Sequence, residues 1–384
     1  MSLSVEVLTS AAQIAGLRQQ WNQLLTERDP ASPFEACDWL VANLNTFGDS
    51  GLQVVTFRTT DGGLAGVLPL KVREGRKYLR TRQWLEFAGL PFADYGASVI
   101  RRGFEAEAAN AFMPALLAQK ECWDGIYLDG LRKNDQFAIC LQRAAGHLGL
   151  FNRLEPTYRI HRLTNAGELQ KSGTRSKVQR HLSKKGNVSF EVVNDAESIA
   201  RQLDGYFRMH IARCTAKRAV CPLADAAQQR FFRNVVSVCA PAGQVWLSTL
   251  RCDAVPIASR FSLRYGEALH LYSTCFAPEF AKYSPSMLQL NALLEYAFSH
   301  GIRVVDFGVG DSPHKAKVGA DQQIDLMRLE VYRSHAAYLE SRMQSAAKEA
   351  AKHSRLVRAA GKGIRKWLPF GTQQNVSVAA ASRK

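Results

Sequence analysis

The sequence predicts an α/β fold made of two similar halves, and three observations carry that prediction. Strand-like and helix-like segments alternate through residues 4 to 332, as they do when helices cover the faces of a sheet. Each half contains a hairpin signal that follows a pair of helices. One stretch, Leu269 to Lys315, reads as strand, loop, helix, strand and charged loop. The halves are placed at 1–155 and 156–332, divided near Leu154-Glu-Pro156, and a basic helical tail occupies 333–384.

In the first half, Val5–Leu8 is a short strand candidate, and Ala11–Glu27 a helix with Ile14, Leu17, Trp21, Leu24 and Leu25 on one face. Pro33-Phe34 precedes a second helix through Trp39, Leu40, Leu44 and Phe47. Leu52–Thr59 and Leu64–Val72 read as strands joined by Thr60-Asp-Gly-Gly63, a hairpin turn. Trp84–Phe87, Ser98–Ile100 and Gly125–Leu128 are further strands, separated by helices at Glu105–Lys120 and Gln136–Leu148. In the second half, Lys177–Lys185 reads as helical, Val188–Val193 as a strand, and Ile199–Thr215 and Asp225–Cys239 as helices. Val245–Arg251 and Ala254–Arg264 form the second hairpin.

Composition sets outer bounds. The chain has 384 residues, 46% hydrophobic and 22% charged, the balance of an ordinary globular protein. No apolar run is long enough to span a bilayer, and Met-Ser-Leu-Ser-Val-Glu-Val-Leu carries no secretory n-region. A cytoplasmic location is therefore expected, with a peripheral place at the inner membrane open through the tail. The cysteines at 37, 122, 140, 214, 221, 239, 252 and 275 form no Cys-x-x-Cys, so neither a metal site nor a disulfide framework is expected. The net charge of +16 is uneven: more than half of the excess lies after Tyr332, where Lys and Arg far outnumber Glu340 and Glu349. Lys171–Lys185 holds six basic residues and no acid. Such patches bind phosphates, anionic membrane surfaces or nucleic acid, or are solvated helix faces. The tail reads as a long exposed helix, Ala336–Ala360, followed by Gly361–Phe370 with Trp367, Leu368 and Phe370 suited to a membrane interface.

The chemistry concentrates in Leu269–Lys315. Ala268–Cys275 is an apolar, aromatic strand; Ser284 is placed to cap a helix and Pro285 to occupy its first turn. Met287, Leu290, Leu294, Ala297 and Phe298 follow at helical spacing, Gly301 ends the helix, and Ile302–Phe307 returns as a strand. A helix starting just after a strand offers N–H groups and positive dipole charge to a phosphate. The loop Gly308-Val-Gly-Asp-Ser-Pro-His-Lys315 adds proton-transfer groups, so the layout suits a transferase with a pyrophosphate-bearing donor.

Tyr-Ser-Thr-Cys-Phe-Ala-Pro-Glu-Phe-Ala-Lys-Tyr-Ser-Pro-Ser (272–286), followed by Asp306-Phe-Gly-Val-Gly-Asp-Ser-Pro-His-Lys315, resembles the GNAT-superfamily acetyltransferases associated with bacterial cellulose and exopolysaccharide biosynthesis. Those are related to FemAB-type transferases, which hold two GNAT-like domains in one chain. The sequence departs from the family pattern at Ser286, Val309 and His314. The resemblance implies tandem GNAT-like domains, acetyl-CoA or another acyl-CoA as co-substrate, no metal, and an amine or hydroxyl of a carbohydrate-type acceptor. On that reading Lys282, Tyr283, Ser284 and Ser286 bind the donor, with Lys282 a counter-charge and Tyr283 either a partner of the leaving thiolate or a packing residue. Asp311 is the expected proton acceptor, Lys315 holds an anionic group, and His314 titrates in a useful range. Asp311 and Lys315 read equally as a surface ion pair. Asp306 caps its own turn and stands on the substrate side, while His210 and Arg213 form an acceptor-side wall or simply pack. Two rivals remain at this stage: an aminoacyl transferase using charged tRNA, and a non-catalytic subunit of a polysaccharide synthase complex.

Overall fold

The computed structural model of the protein describes residues 3–27, 32–77, 80–96, 98–119, 123–165, 167, 180–310, 315 and 318–353. The first half runs β1 (Ser4–Leu8), α1 (Ala11–Thr26), a 3-10 turn (Pro33–Glu35), α2 (Cys37–Phe47), β2 (Leu52–Arg58), β3 (Leu64–Lys77), β4 (Arg80–Phe87), β5 (Val99–Ile100), α3 (Glu105–Ala118), β6 (Gly125–Arg132), α4 (Gln136–His147) and β7 (Phe151–Leu163). The second runs β8 (Val188–Val193), α5 (Ala196–Ala216), α6 (Ala226–Cys239), β9 (Val245–Cys252), β10 (Val255–Tyr265), β11 (Ala268–Phe276), α7 (Pro285–Ser299), β12 (Val304–Val309) and β13 (Gln322–Tyr332), before α8 (His335–His353). Local chemistry sets the helix starts. Ser10 and Gln13 close a capping box on α1, and Asp135, Asp195 and Asp225 cap α4, α5 and α6.

The strands join in one mixed sheet, ordered β1-β2-β3-β4-β6-β13-β7-β12-β11-β10-β9-β8, with β5 beside β3. Each half repeats one plan: four antiparallel strands, then a parallel neighbour, β6 beside β4 and β12 beside β11. The last strand of each half crosses over. β7 pairs with β12, and β13 lies between β6 and β7. The division expected at 155/156 therefore falls inside a strand. Pro156 faces Met327 at a register irregularity, the kind of position where a strand tolerates proline.

The halves also share a core. Phe34, Trp39 and Tyr95 from the first half pack with Phe231, Phe232, Phe261 and the α5 residues Leu203, Tyr206 and Phe207 of the second. Trp39 and Phe231 meet edge-on at 5.2 Å, and Phe47 stacks on Phe92 at 4.7 Å. Each fully buried ring of this cluster, such as Trp39 or Phe231, contributes roughly 1.5–3 kcal/mol.

The start of α8 departs from the exposed helix expected for the tail. Glu340 pairs with Arg82 at 2.7 Å, Ser341 accepts from the Tyr332 hydroxyl at 2.6 Å, and Ala337 is buried. The basic tail past His353, including Trp367 to Phe370, lies outside the described residues. Of the basic cluster 171–185, residues 180–183 are helical and 171–179 also lie outside. No helix among the described residues is long and apolar enough to cross a membrane.

Candidate active site

The site is built where two parallel strands part. β11 and β12 pair at Ala268↔Val304, Leu269↔Val305 and His270↔Asp306, and there the pairing ends. β11 continues to Phe276 along β10, while β12 turns away to pair Val309 with Ile160 of β7. A bulge widens the gap. Between His270↔Leu263 and Ser273↔Phe261, β11 carries one residue more than β10, which bends the strand and adds twist. Beyond His270, no strand of the described residues lies against this edge of β11.

Helix α7 covers one face of the two strands with Leu290, Leu293, Leu294 and Ala297 against Leu269, Leu271, Val305 and Phe307. Its first turn opens at the wide end, where the Ser286 and Thr274 hydroxyls are 3.4 Å apart. Pro285 takes the first position as expected, but Ser284 does not cap with its side chain. Its backbone is left-handed (φ 47°, ψ 48°), which turns the hydroxyl away from the first-turn amides. Met287 and Leu288 N–H bond to the Ser284 carbonyl, leaving the Ser286 N–H without a partner among the described residues. The positive end of the helix is thus presented to the wedge.

Cations surround this mouth. Arg260, opposite Thr274 in register, is 7% exposed and donates from Nε to Gln289 Oε1 at 3.2 Å. It has no carboxylate partner among the described residues, and burial lowers its pKa to about 10, so it stays charged at neutral pH. An uncompensated buried guanidinium favours an anionic ligand. Arg213 donates to the Thr274 carbonyl at 2.7 Å and lies 4.8 Å from the centre of the Phe276 ring. Lys282 is exposed over the Tyr283 ring, and Tyr283 packs beside Phe280 and Leu288.

A four-charge network, buried except at Asp94, closes the narrow end. Asp306 Oδ2 accepts from Arg162 Nε at 2.9 Å and from the Tyr95 hydroxyl at 3.1 Å, while Oδ1 accepts from Gly308 N–H at 2.8 Å. His270 Nε2 lies 2.8 Å from Asp94 Oδ2, and Nδ1 lies 3.6 Å from Asp306 Oδ1. Burial alone would depress the His270 pKa, but the carboxylates of Asp306 and Asp94 outweigh it and raise the value to about 9. Asp306 resists the opposite pull of burial: His270, Arg162 and the Gly308 amide hold it well below the usual carboxylate range. Gly308 has φ 69°, and a Cβ there would overlap Asp94 Oδ2, so glycine is required where the first half touches the second.

The expected site residues divide accordingly. Ser284, Ser286, Lys282, Tyr283 and Arg213 gather at the mouth. Asp306 caps its own turn as expected and, at 3% exposure, lies bonded to Gly308 and beside His270. Lys315 is also redirected. Its buried ammonium donates to the carbonyls of Gly308 (2.8 Å), Val309 (3.3 Å) and Gly310 (2.6 Å), which ties it to the loop itself. Asp311 and His314 lie outside the described residues. His210 stands off the wedge beside Cys214 and Cys221; burial, then Arg213, lowers its pKa to about 4. The sequence reading missed Asp94, Tyr95, Arg162, Arg260 and His270. The signal for the last two was a lone charged or titratable residue inside an apolar strand.

The first half has a matching wedge between β4 and β6, but it is filled. Past Glu86↔Tyr127 the gap is occupied by Tyr95 and Gly96. A Cβ on Gly96 would overlap the Phe87 ring and stand 2.6 Å from the Asp129 carbonyl, and one on Gly130 would stand 2.7 Å from Gly96 N. The same loop delivers Asp94 and Tyr95 to the second half.

Residues 172–316 match the family model described as an acetyltransferase (GNAT) domain, the part of the chain that holds the open wedge. Solved structures resemble nearly the whole chain. FemX is 13% identical, with a TM-score of 0.57 over 85% of this chain and 96% of its own. The C-terminal domain of a putative lysylphosphatidylglycerol synthetase from Agrobacterium fabrum is 10% identical, with a TM-score of 0.52 over 88% of this chain and 96% of its own. L-PGS from Bacillus licheniformis is 10% identical, with a TM-score of 0.50 over 83% and 94%. At these identities the likeness establishes the fold. No curated protein sequence matches the chain.

Proposed function

We propose that this GNAT-type acyltransferase uses acetyl-CoA or a similar acyl-CoA and transfers the acyl group to an amine or hydroxyl of a carbohydrate-related acceptor in cell-envelope or exopolysaccharide synthesis. One observation carries the donor assignment: the wedge between β11 and β12 opens onto the uncapped start of α7. A pyrophosphate at that mouth meets the Ser286 N–H, the helix dipole and the charges of Arg260 and Lys282. The acyl-pantetheine arm then runs along the edge of β11 that β12 leaves, where strand amides stand ready for a developing oxyanion. The acceptor attacks the thioester carbon, the new C–N or C–O bond forms as the C–S bond breaks, and coenzyme A leaves as its thiolate.

The acceptor must also lose a proton. Asp94, partly exposed and bonded to His270 at the wedge floor, is one candidate receiver; Asp311 and His314, just past Gly310, are the others. The carbohydrate-type acceptor rests on the resemblance of residues 272–286 and 306–315, and a place at an anionic membrane on the basic tail.

Calorimetric titration with acetyl-CoA tests the proposal. Wild type should bind at micromolar concentrations, and Ser286→Glu, which sets a carboxylate at the helix mouth, should weaken binding about ten-fold or more. Asp94→Asn should retain binding and reduce turnover about 10²- to 10⁴-fold if Asp94 takes the proton. No binding by wild type at millimolar acetyl-CoA would refute the donor assignment and direct the same assay to charged tRNA.

A further inference from the structure

The clearest feature the transferase reading leaves unused lies at the end of α5. His210 and Cys214, four residues apart, share one face of the helix. The helix stops at Lys217, the chain turns through Arg218 in a left-handed conformation (φ 52°), and Cys221 opens the 3-10 turn Pro222–Ala224 that leads into α6. Backbone bonds fix the turn: Ala219 N–H donates to the Cys214 carbonyl at 2.9 Å, and Ala224 N–H to the Cys221 carbonyl at 3.2 Å. Leu223 anchors the turn in the shared core.

The three side chains converge. His210 Nδ1 is 3.4 Å from Cys221 Sγ and 3.7 Å from Cys214 Sγ, and all three ligand atoms lie within 4.8 Å of one another. Tetrahedral zinc, with bonds of about 2.3 Å to sulfur and about 2.0 Å to nitrogen, separates its N and S ligands by about 3.5 Å. The observed N···S distances bracket that value. All three residues are half-exposed, so an ion can enter.

We infer that His210, Cys214 and Cys221 form a three-ligand site for a thiophilic divalent cation, zinc foremost, with a fourth position open to water. Soft thiolates with one imidazole select zinc over magnesium, calcium or manganese. The spacing His-x3-Cys-x6-Cys holds no Cys-x-x-Cys, which is why a motif search passes over it. The ion would rivet the α5–α6 turn to the last turns of α5, one residue from Arg213 and its bond to β11. The inference does not depend on the transferase reading.

The test uses the untagged full-length chain, purified reduced and without chelator. Zinc content measured by mass spectrometry should approach one ion per chain and fall about ten-fold or more in Cys214→Ser and in Cys221→Ser. Cys252→Ser, which alters a buried thiol elsewhere, should retain the metal. Wild type reconstituted with cobalt should show a thiolate-to-cobalt charge-transfer band, a readout that needs no variant to fold. Reduced wild type that takes up no zinc in competition with a chelator, or a cobalt spectrum without thiolate bands, overturns the inference. So does a mass two hydrogens light with Cys214 joined to Cys221, if reduction does not restore metal binding.

Discussion

His270 should make the protein lose stability as the medium turns alkaline. The residue is fully buried, and its pKa is raised from 6.5 to about 9 by Asp306 and Asp94. A group raised on folding contributes stability that is complete below its unfolded pKa, about 6.5, and that disappears as the pH climbs through the folded value. At about 1.4 kcal/mol per unit, the shift amounts to roughly 3 kcal/mol, all of it lost between about pH 6.5 and just above 9. Asp306 works in the opposite sense: its depressed pKa supplies stability present above about pH 4 and lost only in strong acid. Urea unfolding of wild type and His270→Gln at pH 6.5 and 9.5 isolates the effect, because the other titrating groups are common to both. Wild type should lose roughly 2–3 kcal/mol more than the variant over that interval. Equal losses, or an imidazole Cε1 resonance that titrates at or below pH 6.5, would refute the charged network at the wedge floor.

The other expectations concern backbone and loop. Lys315→Met removes the ammonium that gathers three loop carbonyls and should cost about 1–3 kcal/mol in urea unfolding, with amide exchange in 308–310 accelerated; unchanged exchange would leave the clamp without consequence. Ser284→Gly should match or exceed wild-type stability, and Ser284→Val should lose about 1–2 kcal/mol, because position 284 is left-handed and makes no side-chain cap. Equal melting of the two would mean the left-handed turn is absent in solution. Gly96→Ala should destabilise by more than about 3 kcal/mol, since neither the Phe87 ring nor the Asp129 carbonyl can move aside cheaply; thermal melting checks it.

Elements whose cause is local were legible in the sequence. The hairpin turns and the Ser-Pro start of α7 announce themselves within a few residues, whereas the sequence reading began α5 at Ile199 and missed its Asp195 cap. The two exchanged strands did not. β7 and β13 alternate apolar residues with charges that the sequence shows as polar and the sheet shows as paired. Arg153 meets Glu330 at 2.6 Å, Arg159 meets Asp325 at 2.9 Å, and Arg328 meets Asp129 at 2.7 Å. The boundary expected between the halves accordingly falls near Pro156, where the strand has an irregularity. The site divides in the same way. The donor mouth lies within one strand–loop–helix unit, whereas the wedge floor is assembled from distant parts: Asp94 and His270 are 176 residues apart, and Tyr95 and Asp306 are 211 apart. Nothing within a sequence window joins them.

The crossing of β7 and β13 bears on how a ribosome must make this protein. When Leu163 has emerged, β6 and β7 still lack the strand that lies between them, and that strand is nearly the last to be synthesised. At common translation rates the gap lasts on the order of ten to thirty seconds, with the edges of β6 and β7 exposed to stray pairing. The sheet across β6 and β7 is therefore completed only when the second half is almost finished. Nascent chains arrested before residue 322 should be digested by protease throughout, and chains arrested far enough past 353 to clear the exit tunnel should resist it.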